Sequence, residues 1–303
     1  MTAEEKSACM AVARKAATER AVVTDIPPTA HVLAIASGKG GVGKSSITVN
    51  LAAGIAAEGF TVGVLDADIG GFSIPRMVGL EGRLAGASKE KKIIPNERAI
   101  GAGMLKVVSM GFLVEDEQSA LLWRGQLLQR AVQHFLEDVH WGDLDYLLID
   151  MPPGTGDIQM GLARLLPRAE LIIVTTPAVA AQKVAARAAD LARKTYLRVV
   201  GVIENMSAFT CEHGETYALF GEGGGQTLAT EIGAPLLGSV PIEHAVAAGG
   251  DVGEPAVLGE GPAADALRGI VRVLLDEAVP PVDMAGCSAR LLEKVEAALG
   301  HKP

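Results

Sequence analysis

Compact apolar runs recur from residue 31 onward: VLAIA at 32–36, TVGVL at 61–65, LKVVS at 105–109, DYLLID at 145–150, ELIIVT at 170–175 and VVGVIE at 199–204, with LLGS at 236–239 as a candidate last one. Between them lie Ala-rich stretches of helical character at 43–57, 119–137, 180–194, 226–232 and 262–277. Strand-sized runs alternating with helix-sized ones predict an α/β fold: a doubly wound, mostly parallel sheet with helices on both faces. Residues 79–101 show no clear periodicity and are expected to form a surface excursion.

Both ends differ from this pattern. Residues 1–24 read as a short polar helix with Ala-rich faces, broken by DIPPTA at 25–30. In the tail, Leu291, Leu292, Val295, Ala298 and Leu299 share one face of an amphipathic helix. Its polar face mixes Glu and Lys and it carries no bulky aromatic, so packing onto the domain is favoured over membrane insertion. The chain thus divides into a helical appendage (1–30), one α/β domain (31–280) and a tail (281–303).

Composition narrows the class. A hydrophobic content of 49% with only 4% aromatics suits a helix-covered parallel sheet better than a β-sandwich. The net charge of −9 argues against general binding to nucleic acid or anionic membranes. Cys9, Cys211 and Cys287 make no disulfide framework, the N-terminus has no continuous apolar signal region, and no run reaches the roughly 18 apolar residues of a membrane span. A cytoplasmic setting is expected, with no stable membrane insertion.

The chemistry begins at IASGKGGVGKSS. Gly38 to Ser45 satisfies Gly-x-x-x-x-Gly-Lys-Ser, placed after a strand and at the start of a helix. Glycines 38, 40, 41 and 43, with Val42, turn successive backbone N–H groups inward around phosphate oxygens, and the helix that continues through Ser46 adds its positive end. Lys44 is assigned to β- and γ-phosphate charge and the Ser45 hydroxyl to Mg2+. Lys39 is an additional lysine that the plain motif does not require, and a solvated loop charge is the alternative reading.

Acids are expected at the same edge of the sheet, where strand C-termini converge. Asp150 is the candidate for the Mg2+ shell through water, Asp66 for supporting the metal, and Asp68 for positioning or polarising the attacking water. A turn and helix cap is the alternative for Asp66 and Asp68. PPGTGD at 152–157 offers the Gly154 and Gly156 amides near a γ-phosphate and could switch between two forms. VIENMS at 202–207 is expected to end a strand, where Asn205 either reads adenine through its amide or simply caps the strand.

The segments SGKGGVGKSSITVNLA, LDADIGGFSIPRMVG, LLWRG, DYLLIDMPPGTGD, GVIENMS and FGEGGG resemble the Mrp/ApbC family of ATP-binding iron-sulfur cluster carriers, over about residues 31 to 260. The loop GKGGVGKS is similar to the deviant P-loop of the MinD, ParA and nitrogenase iron-protein group. That likeness implies a nucleotide-dependent homodimer in which Lys39 reaches the partner's nucleotide. It also supports the adenine role of Asn205 and adds Pro241 as a second base contact. The resemblance further implies slow Mg2+-dependent ATP hydrolysis, coupled to a dimer rearrangement, and delivery of clusters to apoprotein acceptors or exchange with scaffold proteins.

Family members carry Cys-x-x-Cys after ENMS, and two subunits there hold one bridging [4Fe-4S] cluster. Here FTCEHGETYALFG supplies Cys211, Glu212, His213 and Gly214, so the second cysteine is missing. Three readings stay open: a mixed site built from Cys211 and His213 of two subunits for a cluster or zinc, a cluster held by Cys211 with outside thiols, or an interface loop without metal. The family's N-terminal accessory domain is expected to be absent, since about 30 residues precede the first strand. A MinD/ParA-like regulatory or positioning ATPase without a metal is the competing functional reading.

Overall fold

The computed structural model describes residues 24–68, 71–80, 84, 92–112, 132–154 and 157–282. The expected helices at 1–24 and in the tail, the LLWRG segment, most of 119–137, the Gly156 amide, Cys9 and Cys287 lie outside them.

Strands β1 (His31–Ser37), β2 (Thr61–Asp66), β3 (Asn96–Ile100), β4 (Gly103–Ser109), β5 (Tyr146–Asp150), β6 (Glu170–Thr175), β7 (Arg198–Thr210), β8 (Thr216–Tyr217) and β9 (Leu236–Ile242) form one sheet. Its order is β3-β4-β2-β5-β1-β6-β7-β8, with β9 also paired to β7. All pairings are parallel except the two short edge ones, β3 with β4 and β8 with β7. The helices are α1 (Lys44–Ala57), α2 (Ile74–Met77), α3 (Asp157–Leu165), α4 (Val179–Lys194), α5 (Gly224–Ile232), α6 (His244–Val252) and α7 (Pro262–Val273), and a helical stretch covers 132–137. None of the described helices is long and apolar enough to cross a membrane.

The continuous apolar runs are explained by burial on two sides. Along β1, Leu33 and Ile35 face one core layer while Val32, Ala34 and Ala36 face the other. The first layer includes Ile47, Leu51 and Ile55 of α1 with Leu267, Ile270 and Val271 of α7. The second includes Leu162 of α3, Ala185 and Ala189 of α4 and Leu228 of α5. Packed helices on both faces hold the strand ends rigidly, which is what a site at those ends requires.

Four expectations change. The 79–101 excursion contains β3, whose alternating half-exposed residues NERAI suit an antiparallel sheet edge but are too polar to register as an apolar run. The strand expected to end around VIENMS continues to Thr210; Met206 takes a left-handed φ of 57° and the pairing with β9 shifts between Asn205 and Phe209. Helices α2, α3 and α6 are additional: α2 is too short to show a period, and α6 buries none of its residues, so it carries no apolar stripe. The last helix is α-helical to Val273 and ends in a π turn, Leu274–Ala278.

Candidate functional site

The segment from Gly38 to Gly43 links β1 to α1. Gly41 and Gly43 both have φ of 79°, the left-handed region that side chains disfavour. A Cβ on Gly43 would also lie 2.2 Å from the Asn205 amide nitrogen, and one on Gly38 would lie 2.3 Å from the Ala185 backbone nitrogen. Helix α1 has no acidic residue in its first turn and no side-chain cap, so its N-terminal N–H groups and dipole remain directed at the loop. Gly154 N–H donates to Ser37 O at 3.1 Å, which lays the Pro-Gly turn beside this loop. Lys39 and Gly40 are exposed.

Below the loop the acids and hydroxyls interlock. The Asp150 carboxylate takes the Lys44 ammonium at 2.7 Å and the Thr48 hydroxyl at 2.8 Å on Oδ1, and the Ser45 hydroxyl at 2.6 Å on Oδ2. Lys44 and Asp150 are almost wholly buried, so their charges are mutually compensated where water cannot compensate them. Asp66 lies beside Asp150 in the β2–β5 register. Burial, then the Asp150 charge, pushes the Asp66 carboxyl up to about 7, against the Ser109 hydroxyl bond at 3.0 Å, Lys44 and the Asp68 N–H. Asp68, half-buried, is also raised, chiefly by desolvation, with Lys44 opposing the shift.

A hydroxyl and a carboxylate 2.6 Å apart are hard oxygen donors of the type Mg2+ takes, and Mg2+ sites commonly use one or two protein oxygens with phosphates and waters. Ser45 and Asp150 would hold the ion, with the fully buried Asp66 beside Asp150 on the neighbouring strand.

Beside Gly43 and Ser46 opens a cavity of about 440 Å³ that Asn205 and Pro241 both line. Asn205 Nδ2 donates to Val42 O at 2.9 Å. A carbonyl can only accept, so this bond fixes the amide's orientation and leaves Oδ1 as an acceptor. The strand-cap alternative fails, because Asn205 lies inside β7. Met206, α2 and α6 supply further walls.

Cys211 and His213 sit elsewhere, in the turn between β7 and β8, closed by Cys211 N–H to Glu215 O and Gly214 N–H to Cys211 O, both 2.9 Å. Cys211 is half-exposed and His213 exposed, with Phe209, Tyr217, Leu219 and Phe220 exposed nearby in sequence. Among the described residues no group of three or more His, Cys, Asp or Glu is arranged to hold a metal ion. One copy of this turn therefore offers a cluster a single thiolate.

Thr48, Ser109, Met206 and the α2 and α6 walls are absent from the sequence-based site. Thr48 was accessible, since it lies one helical turn beyond Lys44 on the same face. Ser109 joins only through the β2–β4 register, which pairs it with Asp66.

Comparison with known proteins agrees with this geometry. Residues 28–275 match the ParA family model described as NUBPL iron-transfer P-loop NTPase. An iron-sulfur cluster carrier protein of Mycobacterium tuberculosis is 50% identical over 234 residues, 75% of this chain and 60% of the relative, so the chain spans only about 60% of that relative's length. A nucleotide-binding protein of Archaeoglobus fulgidus, solved in complex with ADP, superposes with a TM-score of 0.64 at 35% identity, covering 82% of this chain and 94% of the other. The septum site-determining protein MinD of Pyrococcus horikoshii, complexed with Mg-ADP, shares the fold with a TM-score of 0.60 at 20% identity, covering 82% and 96%. With the glycine loop, the buried Lys44–Asp150 pair and the doubly wound sheet in place, the chain belongs to the ParA-type family of iron-transfer P-loop NTPases that includes the iron-sulfur cluster carrier proteins.

Proposed function

We propose that this protein is a Mg2+-dependent ATPase that works as a homodimer and carries iron-sulfur clusters, through a site that departs from the family's two-cysteine pattern. The carrying observation is the Asp150 carboxylate, held by Lys44, Ser45 and Thr48 at the floor of the glycine loop and next to a cavity lined by Asn205 and Pro241. Loop and cavity together offer a phosphate cradle and an apolar slot in the positions a nucleoside triphosphate needs. The relative solved with ADP supports a nucleotide ligand.

In this reading the loop N–H groups from Gly38 to Ser46 bind phosphate oxygens, and Lys44 turns from Asp150 to the β- and γ-phosphates. Bound Mg2+ supplies charge neutralisation at Ser45 and Asp150. Asp68 orients the water whose oxygen attacks the γ-phosphorus as the bond to the β–γ bridging oxygen breaks. The Gly154 N–H, which donates to Ser37 O without nucleotide, turns to the γ-phosphate as the Pro-Gly turn shifts, and the exposed Lys39 acts across a dimer. Asn205 Oδ1 accepts from the base. The α/β unit at 31–280 carries all of this, in a cytoplasmic setting.

The cluster is cargo, destined for apoprotein acceptors or received from scaffold proteins. Two copies of the 210–216 turn would bring together two Cys211 thiols and two His213 imidazoles, a ligand set that both clusters and zinc accept. Anaerobic reconstitution with iron and sulfide, read by visible absorption and iron content, tests this: wild type should bind iron and Cys211→Ala should not. A wild type that binds none favours the second reading, a MinD/ParA-like regulatory ATPase without a metal cluster, which the missing second cysteine after ENMS supports.

A further inference from the structure

Two of the cavity's walls give little to the core: Ile74 of α2 is fully buried, while Met77 of α2 and Val246 of α6 pack against the core only partly buried. Helix α2 has four residues, and α6 buries none of its nine. Between them they supply Met77, Val246 and Gly250 to the cavity lining. They meet at Met77 and Gly250, where a Cβ added to Gly250 would lie 3.3 Å from Met77 Cε, and again past their C-terminal ends. Gly79, just past α2, and Gly253, the cap of α6, have φ of 60° and 77° and press backbone to backbone. A Cβ on Gly253 would lie 2.3 Å from Gly79 Cα.

Arg98, on edge strand β3, closes this junction. Its Nη1 donates to Val78 O at 2.6 Å and to Gly253 O, while Nη2 pairs with Glu254 at 3.0 Å. Val78 and Gly253 are the C-cap residues of the two helices. One guanidinium therefore serves the negative ends of both. A lysine could not span the two carbonyls and the carboxylate with the same planar fork.

We propose that Arg98 is a positioning residue for nucleoside binding: by tying the ends of α2 and α6 together it sets the width of the cavity they wall. This rests on the reading of that cavity as the nucleoside site. Arg98 lines neither the cavity nor the loop, so its effect passes through preorganisation of the two helices.

The test uses the full chain with two probes, ADP and inorganic tripolyphosphate, the latter reaching only the loop. Arg98→Met keeps the stem and removes the donors; Gly253→Ala disrupts the same junction without touching the arginine. Both variants should weaken ADP by about tenfold while tripolyphosphate affinity stays within about twofold of wild type, and steady-state assays should show raised KM with kcat retained. Arg98→Lys should fall between, keeping one carbonyl bond, and supplies the measurement if Arg98→Met does not fold. ADP affinity like wild type in both variants, or equal loss for both probes, overturns the proposal. A wild-type protein that binds tripolyphosphate but shows no preference for ADP overturns the nucleoside reading itself, and one that binds neither overturns the assignment of the loop.

Discussion

The Lys44 ammonium lies 2.7 Å from Asp150 Oδ1, both groups being almost fully buried, so the lysine proposed to bind phosphate and the acid proposed to bind Mg2+ hold one another at the loop floor. Removing one partner from such a pair leaves a buried charge unmatched. Asp150→Ala is expected to destabilise the fold by about 3 kcal/mol in denaturant unfolding and to eliminate Mg2+-dependent nucleotide binding. Lys44→Ala should abolish ADP binding in titration calorimetry; unchanged affinity would remove the loop from the site.

Thr48 donates to Asp150 at 2.8 Å and is itself fully buried. Thr48→Val keeps the shape and deletes the donor, so unfolding free energy should fall by about 1–2 kcal/mol. Mg2+ affinity in the presence of ADP should weaken as well, because the carboxylate loses the bond that orients it.

Asp66 gives a pH signature. Its folded carboxyl titrates at about 7 against an ordinary value of 3.8. Between these limits the unfolded chain has lost the proton and the folded chain keeps it, so stability contributed by this group falls as pH rises from about 4 to about 7, then levels off. Asp66→Asn should flatten the wild-type decline in that window. Its Tm relative to wild type should therefore be higher at pH 8 than at pH 5, measured without nucleotide, and a constant difference between the two variants across pH would refute it.

Asn205 tests the base. With Nδ2 committed to Val42 O, Oδ1 can accept from an exocyclic amine but not face a carbonyl oxygen. Wild type should prefer ADP to GDP, and Asn205→Ala should reduce that preference. Equal preference in the two proteins would return Asn205 to a purely structural tether of the loop.

Lys39 is exposed, and its backbone carbonyl accepts from the Ser37 hydroxyl at 3.1 Å. Lys39→Ala should leave ADP affinity near wild type and lower hydrolysis or ATP-dependent dimerisation, read by phosphate release and light scattering. Wild-type turnover and association would mean the lysine is a solvated loop charge.

The alternation of apolar runs and Ala-rich stretches was enough to find β1, β2, β4, β5, β6 and β9 within a few residues, because strands buried on both faces write a continuous signal. It missed β3 and α6 for the opposite reason: the alternation of β3 is carried by polar residues and α6 buries none of its own, so neither writes an apolar run. For the site, Gly38 to Ser45 was legible because backbone conformation demands glycine at fixed places, and Asp150 because an acid closing an apolar run marks a strand's ligand end.

Sequence alone determined the sheet, the loop, the acids and the shortage of thiols at Cys211, since each is a matter of residue type and local spacing. Only the tertiary structure decided that Thr48 and Ser109 hold the acids, that Asn205 is mid-strand and tethered to Val42, and that Arg98 joins α2 to α6. Those relationships connect residues distant in the chain through hydrogen bonds whose geometry arises only once the strands are in register, and no local pattern encodes them.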